Sequence, residues 1–428
     1  MPAEPTFVIV GAALAGAKAA EALREQGFGG QIVLIGAERH HPYERPPLSK
    51  EYLQGAAGRE TIFVHEDSWY ALNSIDLRLG TAVTAIDRSA HQVMLDGGER
   101  IGYAKLLLAT GSTPRRLTVP GADADGVLYL RTVDDSDRIR EALGSASRVA
   151  VVGAGWIGLE VTAAARNAGA EVTVLEEAEL PLLRALGPEV APVFVALHRD
   201  HGVDFRFGAR VSEIMVSGAR GGGGVRATGV RLADGTEAGA DAVIVGIGAA
   251  PAAGLAGAAG LEVISGGVVT DAALRTSDPD IFAAGDIARA FHPLLRRPIR
   301  VEHWANALNQ PATAARAMLG QDVAYDRLPY FYTDQYDLGM EYSGYAEPGE
   351  YDRVVFRGDV RKREFVAFWL SGEMLLAGMN VNVWDVNQEI QRLISEHEPV
   401  SPRRLADPAV PLEETALRPR RRRPGSGS

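Results

Sequence analysis

Residues 148–158 read RVAVVGAGWIG: an apolar run, Arg148 to Val152, that breaks into Gly-x-Gly-x-x-Gly at Gly153, Gly155 and Gly158. Leu159 to Ala168 is built of helix-compatible residues, and Val172 to Leu175 is apolar again. The pattern predicts a strand, a tight turn, a helix and a second, parallel strand. The three glycines have separate tasks. The first permits the turn, the second lets the backbone approach a pyrophosphate, and the third lets the helix pack on the strand with its N-terminal dipole facing the phosphates. Such a site needs an acid at the end of the next strand to hold a ribose 2′-hydroxyl, and Glu176 stands there. A carboxylate at that point repels a 2′-phosphate, so NADH is expected over NADPH.

A second unit of the same kind lies near the N-terminus. Phe7 to Val10 is apolar, Ala15 to Arg24 predicts a helix, and Gln31 to Ile35 predicts the next strand. The turn reads Gly11, Ala12, Ala13, Leu14, Ala15, Gly16, with Ala13 in the place of the middle glycine, and Glu38 takes the acid's position. Two βαβ units more than a hundred residues apart imply two nucleotide-binding domains. A length of 428 residues allows about three domains. From about Pro329 aromatics concentrate, Arg353 to Phe356 and Phe365 to Leu370 alternate like antiparallel strands, and Val386 to Ser395 predicts a helix. This third part is expected to be an α+β domain.

The composition, 46% hydrophobic and 23% charged with a net charge of -11, is that of a globular protein and excludes a general nucleic-acid binder. The basic run Arg418 and Arg420 to Arg423 is expected to be a solvated, flexible tail rather than a contact for an acidic partner. The chain has no cysteine, which excludes disulfides, thiolate metal sites, a built-in iron–sulfur cluster and a redox-active dithiol. Met1 to Leu23 is apolar, but Glu4 precedes its run where a signal peptide needs a basic residue. Ala242 to Leu261 is uncharged and long enough to span a bilayer, yet it is Gly- and Ala-rich and broken by Pro251. Strand, loop and short helix are expected there, and a cytoplasmic protein. Gly218 to Gly224 predicts a surface hairpin loop, since no helix follows it.

Two further segments complete the pattern. Lys105 to Pro114 reads KLLLATGSTP, and Ile281 to Asp286 reads IFAAGD, which puts a carboxylate at a strand's C-terminal edge, where open parallel sheets bind ligands. With both nucleotide units, these segments closely resemble the two-dinucleotide flavoprotein reductases. Within them the chain is similar to the ferredoxin reductases of oxygenase systems, the family of putidaredoxin, rhodocoxin and biphenyl-dioxygenase reductases. The resemblance covers the chain to about residue 405. Its most specific segment is Pro42 to Lys50, PYERPPLSK. Disulfide reductases carry their redox cysteine pair in this region, and here there is none.

The resemblance implies an α/β fold: two Rossmann-like domains, glutathione-reductase-like, and a C-terminal α+β domain. The FAD-binding domain would comprise residues 1–113 and 245–325, the NAD-binding domain 114–244, the third domain 326–405, and the tail 406–428. Gly11 and Ala13, Leu14, Ala15 and Gly16 would face the FAD pyrophosphate, and Glu38 the adenosine ribose. Arg45 and Lys50 would line the flavin site, Val83 would meet the adenine, and Ala109, Thr110, Gly111 and Arg131 would lie along the cofactor. Gly285 and Asp286 would meet the ribityl chain, and His303 and Trp304 the isoalloxazine. Gly153, Gly155, Trp156, Ile157, Gly158, Glu160, Glu176 and Gly248 would form the NAD site. Lys50, Glu160 and Trp304 would be the residues closest to the chemistry. A reduced flavin is anionic, a nearby ammonium favours it, and Glu160 offsets the cost of burying that ammonium. Tyr332 stands where many relatives have Trp, and Tyr330 to Tyr332 are either core or flavin packing.

The implied reaction is hydride transfer from NADH to FAD, followed by release of electrons singly to a small acidic iron–sulfur ferredoxin that supplies an oxygenase. No metal site of the chain's own is expected. Arg289, His292, Arg296, Arg297 and Arg300 share a stretch without Asp or Glu just before Trp304. This is either the docking loop for that partner or a solvated loop. The same scaffold could serve an NADH oxidase or a reductase of rubredoxin, quinones or ascorbyl radical. A signalling flavoprotein like the apoptosis-inducing factors would need a targeting segment and a basic surface, and neither is evident.

Overall fold

The computed structural model describes residues 5–218 and 225–417. Each nucleotide unit builds a five-stranded parallel sheet. In the first, Ile281–Ala283, Lys105–Leu108, Thr6–Val10, Gln31–Ile35 and Ile75–Arg78 lie in that spatial order. All but the edge strand Ile75–Arg78 are apolar on both faces because helices and smaller sheets cover both. Phe7, Ile9, Ile32 and Leu34 join one core cluster, and Val8, Val10, Val33 and Ile35 another. Helix Leu14–Glu25 follows the first strand directly. The strand Ile281–Ala283 enters this sheet from far along the chain, so the whole second unit is inserted between its strands.

The second sheet runs Asp204–Phe207, Glu171–Glu176, Arg148–Val152, Ala242–Val245, Val127–Tyr129. Its Gly-rich turn leads into helix Trp156–Asn167, three residues earlier than the sequence suggests. The difference is physical: Trp156 and Ile157 sit in the first turn, where side-chain propensity counts for little. A long helix, Leu183–Asp200, covers this sheet and had no clear sequence signal, because Gly187 and Pro188 interrupt it. Residues 242–261 form strand Ala242–Val245, strand Ala249–Pro251 and helix Gly254–Ala258. Among the described residues no helix is long and apolar enough to cross a membrane. The expected hairpin loop lies largely outside the described residues, but its flanks pair antiparallel, with Ser217 opposite Arg226.

The third part is a five-stranded antiparallel sheet in the order Tyr330–Gln335, Leu338–Gly344, Met374–Val381, Glu364–Ser371, Arg353–Asp359. The two alternating segments read from sequence are direct neighbours, Arg353 facing Leu370. Alternation divides the strand Glu364–Ser371 between two cores. Phe365, Ala367 and Trp369 pack towards Val190, Phe194 and Leu197 of the long helix. Val366, Phe368 and Leu370 pack under helix Asn387–Ser395. The third domain thus shares an apolar core with the second. The expected tail begins too early at 406: Leu412 and Thr415 are buried, and Leu405 and Leu412 belong to the last core cluster. The Pro- and Arg-rich composition hid these two anchoring leucines. The basic run from Arg418 lies outside the described residues.

Candidate functional site

The two Gly-rich turns are built alike, and their glycines divide into two classes. A methyl group on Gly16 would sit 2.0 Å from the Gly11 carbonyl oxygen, and one on Gly158 would sit 2.1 Å from that of Gly153. Gly11 and Gly153 have φ of 116° and 98°, backbone that L side chains rarely adopt. The fold itself requires these four. The middle position is different. Gly155 is extended, at φ -77° and ψ -177°, and a methyl there meets nothing closer than 3.9 Å. Ala13 holds the matching position at φ -116° and ψ -163°. Only a ligand could demand glycine there, so the chain accepts Ala13 without strain.

Glu176 ends its strand against the turn it serves. Its Oε2 accepts from the Ala154 N–H at 2.6 Å and its Oε1 from the Ala178 N–H at 2.8 Å. The carboxylate is thereby fixed beside the Gly-rich loop before any ligand arrives.

One cleft receives both halves. Ala13, Leu14 and Ala15 line it from the first turn, Trp156, Ile157 and Glu160 from the second helix, and Ala284, Gly285, Asp286, His303 and Trp304 from the last strand and its connection. Arg45, Pro46, Ser49, Lys50, Ala109, Gly111 and Arg131 form the remaining wall, with Phe331 and Tyr332 contributed by the third domain. The first N–H groups of helix Leu14–Glu25 have no partner within the helix and are available to an anion. Nδ1 of His303 is sealed from solvent without a hydrogen-bond partner, and burial holds its imidazole down to about 4, so the ring is neutral. An anion-binding turn with an unpartnered ring nitrogen along the same cleft fits a dinucleotide bearing a heteroaromatic head.

At the centre, Lys50 Nζ lies 2.7 Å from Glu160 Oε1. Glu160 is only 4% exposed and Lys50 8%, so each charge needs the other. Glu160 also accepts from the Ser49 hydroxyl and, at 2.6 Å, from the Thr333 hydroxyl. Lys50 Nζ stands 5.5 Å from the Tyr332 ring centre, which in turn meets Trp304 edge-to-face. Trp304 Nε1 donates to Glu44 at 3.0 Å, fixing the indole plane. Tyr332 therefore belongs to the cleft wall, and Phe331 packs on Trp156 and His303.

Farther along, Arg45 pairs with Glu38 at 2.8 Å and Tyr43 donates to the same carboxylate. Asp286 accepts from Ser112 at 2.8 Å and pairs with Arg131 at 3.2 Å. Burial, with Arg45 nearby, pulls the Arg131 guanidinium below its ordinary value. Other expected residues stand apart from the cleft wall. The Thr110 hydroxyl turns away to the Ala252 carbonyl, at 2.9 Å. Val83 begins a small antiparallel sheet, and the chain before it runs beside Glu38, with the Gly80 N–H bonded to the Glu38 carbonyl. Gly248 shapes the loop after the second sheet, its carbonyl accepting from Arg115. The sequence reading passed over Ser49, Thr333 and Glu44. Ser49 and Glu44 lie inside the PYERPPLSK segment, a signal that could have found them, whereas Thr333 carried none.

The arginine stretch folds as a hairpin, Ala288–His292 with Arg297–Ile299. It is less basic in space than in sequence. Arg297 forms a two-pronged pair with Glu350 and stands 3.9 Å from Glu347, and Arg300 pairs with Glu302 at 2.6 Å. Arg296 is exposed, at φ 54°, and neither it nor Arg289 has an acidic partner among the described residues. His292 is buried and bonds the Arg327 carbonyl.

Comparison with known proteins agrees with this architecture. The family described as pyridine nucleotide-disulphide oxidoreductase matches residues 5–311, and the reductase C-terminal family matches residues 330–416. The chain is 44% identical to the anthranilate 1,2-dioxygenase system ferredoxin–NAD(+) reductase component of Burkholderia cepacia, over 96% of this chain and 99% of that one. It is 40% identical to putidaredoxin reductase of Pseudomonas putida, over 97% of each. Among solved structures it is similar to the covalent putidaredoxin reductase–putidaredoxin complex, with a TM-score of 0.91 and 39% identity over 96% of this chain and 98% of that one.

Proposed function

The chain belongs to the pyridine nucleotide-disulphide oxidoreductase family, and from that premise we propose that it is an NADH-dependent ferredoxin reductase of an oxygenase system. Electrons would pass from NADH through FAD to a small iron–sulfur ferredoxin. The observation that carries the reading is one cleft lined by the first nucleotide turn and by the start of the second unit's helix, with the Lys50–Glu160 pair between them. FAD, when bound, supplies the ability to accept a hydride and to give electrons up singly.

The chain's own residues bind and orient. Ala13 to Gly16 would hold the FAD pyrophosphate at the helix N-terminus, with Glu38 at the adenosine ribose and Val83 at the adenine. Asp286, with Ser112 and Arg131, would hold the ribityl chain. Gly155 to Gly158 would receive the NADH pyrophosphate, and Glu176 its adenosine ribose. Lys50 would supply positive charge where negative charge develops, while Glu160 keeps that ammonium from lying unpaired. Trp304, held by Glu44, would close the flavin's other side. With no cysteine to take electrons internally, an external acceptor is required. Residues 1–113 with 245–325 would bind FAD, 114–244 NAD, and the part from 326 would complete the cleft.

Anaerobic stopped-flow mixing with NADH and, separately, NADPH, followed by a panel of ferredoxins and cytochrome c, tests the reading. Rapid flavin bleaching by NADH, with reoxidation only when a ferredoxin is present, is the expected result. Reoxidation by oxygen alone, indifferent to every ferredoxin, would replace it with an oxidase.

A further inference from the structure

Glu160 is the end of a line of hydrogen bonds that runs well beyond the cleft. The Thr333 hydroxyl bonds Glu160 Oε1 at 2.6 Å, and Gln335 Nε2 bonds the Thr333 oxygen at 3.2 Å. His198 Nε2 bonds Gln335 Oε1 at 2.8 Å, and the Tyr336 hydroxyl bonds His198 Nδ1 at 3.3 Å. Thr333, Gln335 and His198 are 1% exposed or less. Glu160 and His198 come from helices of the second domain, and Thr333, Gln335 and Tyr336 from the edge of the third domain's sheet, so the line crosses their interface three times.

Elementary valence fixes every proton in it. A carboxylate can only accept, so Thr333 must donate to Glu160. The Thr333 oxygen is then free to accept, so Gln335 presents its amide N–H there and its carbonyl to His198. His198 must donate from Nε2, which leaves Nδ1 to accept from Tyr336. Burial holds the His198 imidazole down to about 4 and pushes the Tyr336 phenol well above its ordinary range, so one ring stays neutral and the other keeps its proton. Each donor in the line points towards Glu160. Hydrogen bonds aligned in one direction polarise one another.

We propose that Thr333, Gln335 and His198 are positioning residues for electron transfer, a one-way relay by which the third domain places Glu160 and tempers its hold on Lys50. The proposal rests on the ferredoxin reductase reading above. Glu160 Oε1 is shared between Lys50 and Thr333. The hydroxyl withdraws part of the carboxylate's charge and leaves the ammonium less neutralised. That residual positive charge faces the cleft and would favour the reduced, anionic flavin. Without the hydroxyl, the carboxylate's charge falls more fully on Lys50.

The test is Thr333→Val, close to isosteric, with Thr333→Ser as rescue and Gln335→Leu as a cut one bond farther away, all as FAD-loaded full-length protein. For Thr333→Val the limiting rate of flavin bleaching at saturating NADH should fall about tenfold, corresponding to ~1.4 kcal/mol, with apparent NADH affinity unchanged within about twofold. The flavin midpoint potential should become more negative. Thr333→Ser should restore both. Gln335→Leu should shift both in the same direction and less, because Thr333 can still donate. A Thr333→Val protein with wild-type rate and potential overturns the relay. So does a loss that Thr333→Ser fails to restore, which would mark these residues as interface packing only. Absence of bleaching by NADH in the wild type would instead refute the underlying reading, and the relay with it.

Discussion

A single methyl group separates what the fold demands of its glycines from what a ligand demands. Gly158 cannot carry a side chain, because the carbonyl of Gly153 occupies that space at 2.1 Å, whereas Gly155 has 3.9 Å of clearance. Gly155→Ala should therefore fold with an unchanged melting temperature and bind NADH about tenfold more weakly, which is ~1.4 kcal/mol. Gly158→Ala should lose stability by about 1–3 kcal/mol, as overpacked interiors do. Thermal melts and NADH titrations of the two proteins separate the effects. A Gly155→Ala protein that melts early would show that the turn, rather than a ligand, fixes that glycine. The turns, Glu38 and Glu176 were legible in the sequence because their spacing is dictated by local backbone geometry. Lys50 and Glu160 came only through the family resemblance. A charge buried against a partner 110 residues away leaves no local trace.

The edge strand Tyr330–Gln335 shows what alternation conveys and what it hides. Period two sends Thr333 and Gln335 to the second domain and Tyr332 to the cleft, while Phe331 packs on Trp156 at the cleft's border with the second domain. The sequence marked the aromatics but could not say which face met the site, since that depends on how a separate domain docks. The arginine hairpin teaches the converse lesson. Counting charges along the chain found five basic groups, yet Glu350 and Glu302 neutralise Arg297 and Arg300. Any steering charge on this element therefore rests on Arg289 and Arg296. We propose that these two help dock the ferredoxin. Arg296→Glu should lower the second-order rate with a ferredoxin about tenfold at low salt, with less effect as salt rises, and leave ferricyanide reduction by NADH intact. Arg297→Glu would place a third acid beside Glu350 and Glu347 and should lower stability as well. Equal loss with ferredoxin and ferricyanide in Arg296→Glu would remove the hairpin from the docking surface.

At the scale of the whole molecule, two nucleotide-binding halves and a third domain converge on one cleft, and three histidines are shielded from water in or around it. His198 is fully buried at the joint of the second and third domains, His303 lies in the cleft wall, and His292 lies beneath the hairpin, and burial lowers all three. An unfolded histidine titrates near pH 6.5. Burial in the folded protein holds the His198 imidazole down to about 4. Between those values the unfolded chain binds a proton that the folded chain refuses. Stability therefore rises with pH across this window and is lost progressively on acidification from about 6.5 to about 4, below which the loss levels off. For His198 alone the full loss is about 3 kcal/mol. The carboxylates held below their ordinary range by hydrogen bonds and arginines, such as Asp241 and Asp278, lose their contribution only at lower pH, as they protonate. The loss between pH 6.5 and 4.5 should accordingly follow the histidines. Melting temperatures of the FAD-loaded protein at pH 7, 5.5 and 4.5 should fall steeply, and His198→Gln, which can still donate to Gln335, should flatten that fall even if it melts lower at pH 7. A variant profile parallel to the wild type would place the acid sensitivity elsewhere, and would mean that the joint between the second and third domains opens before His198 meets a proton.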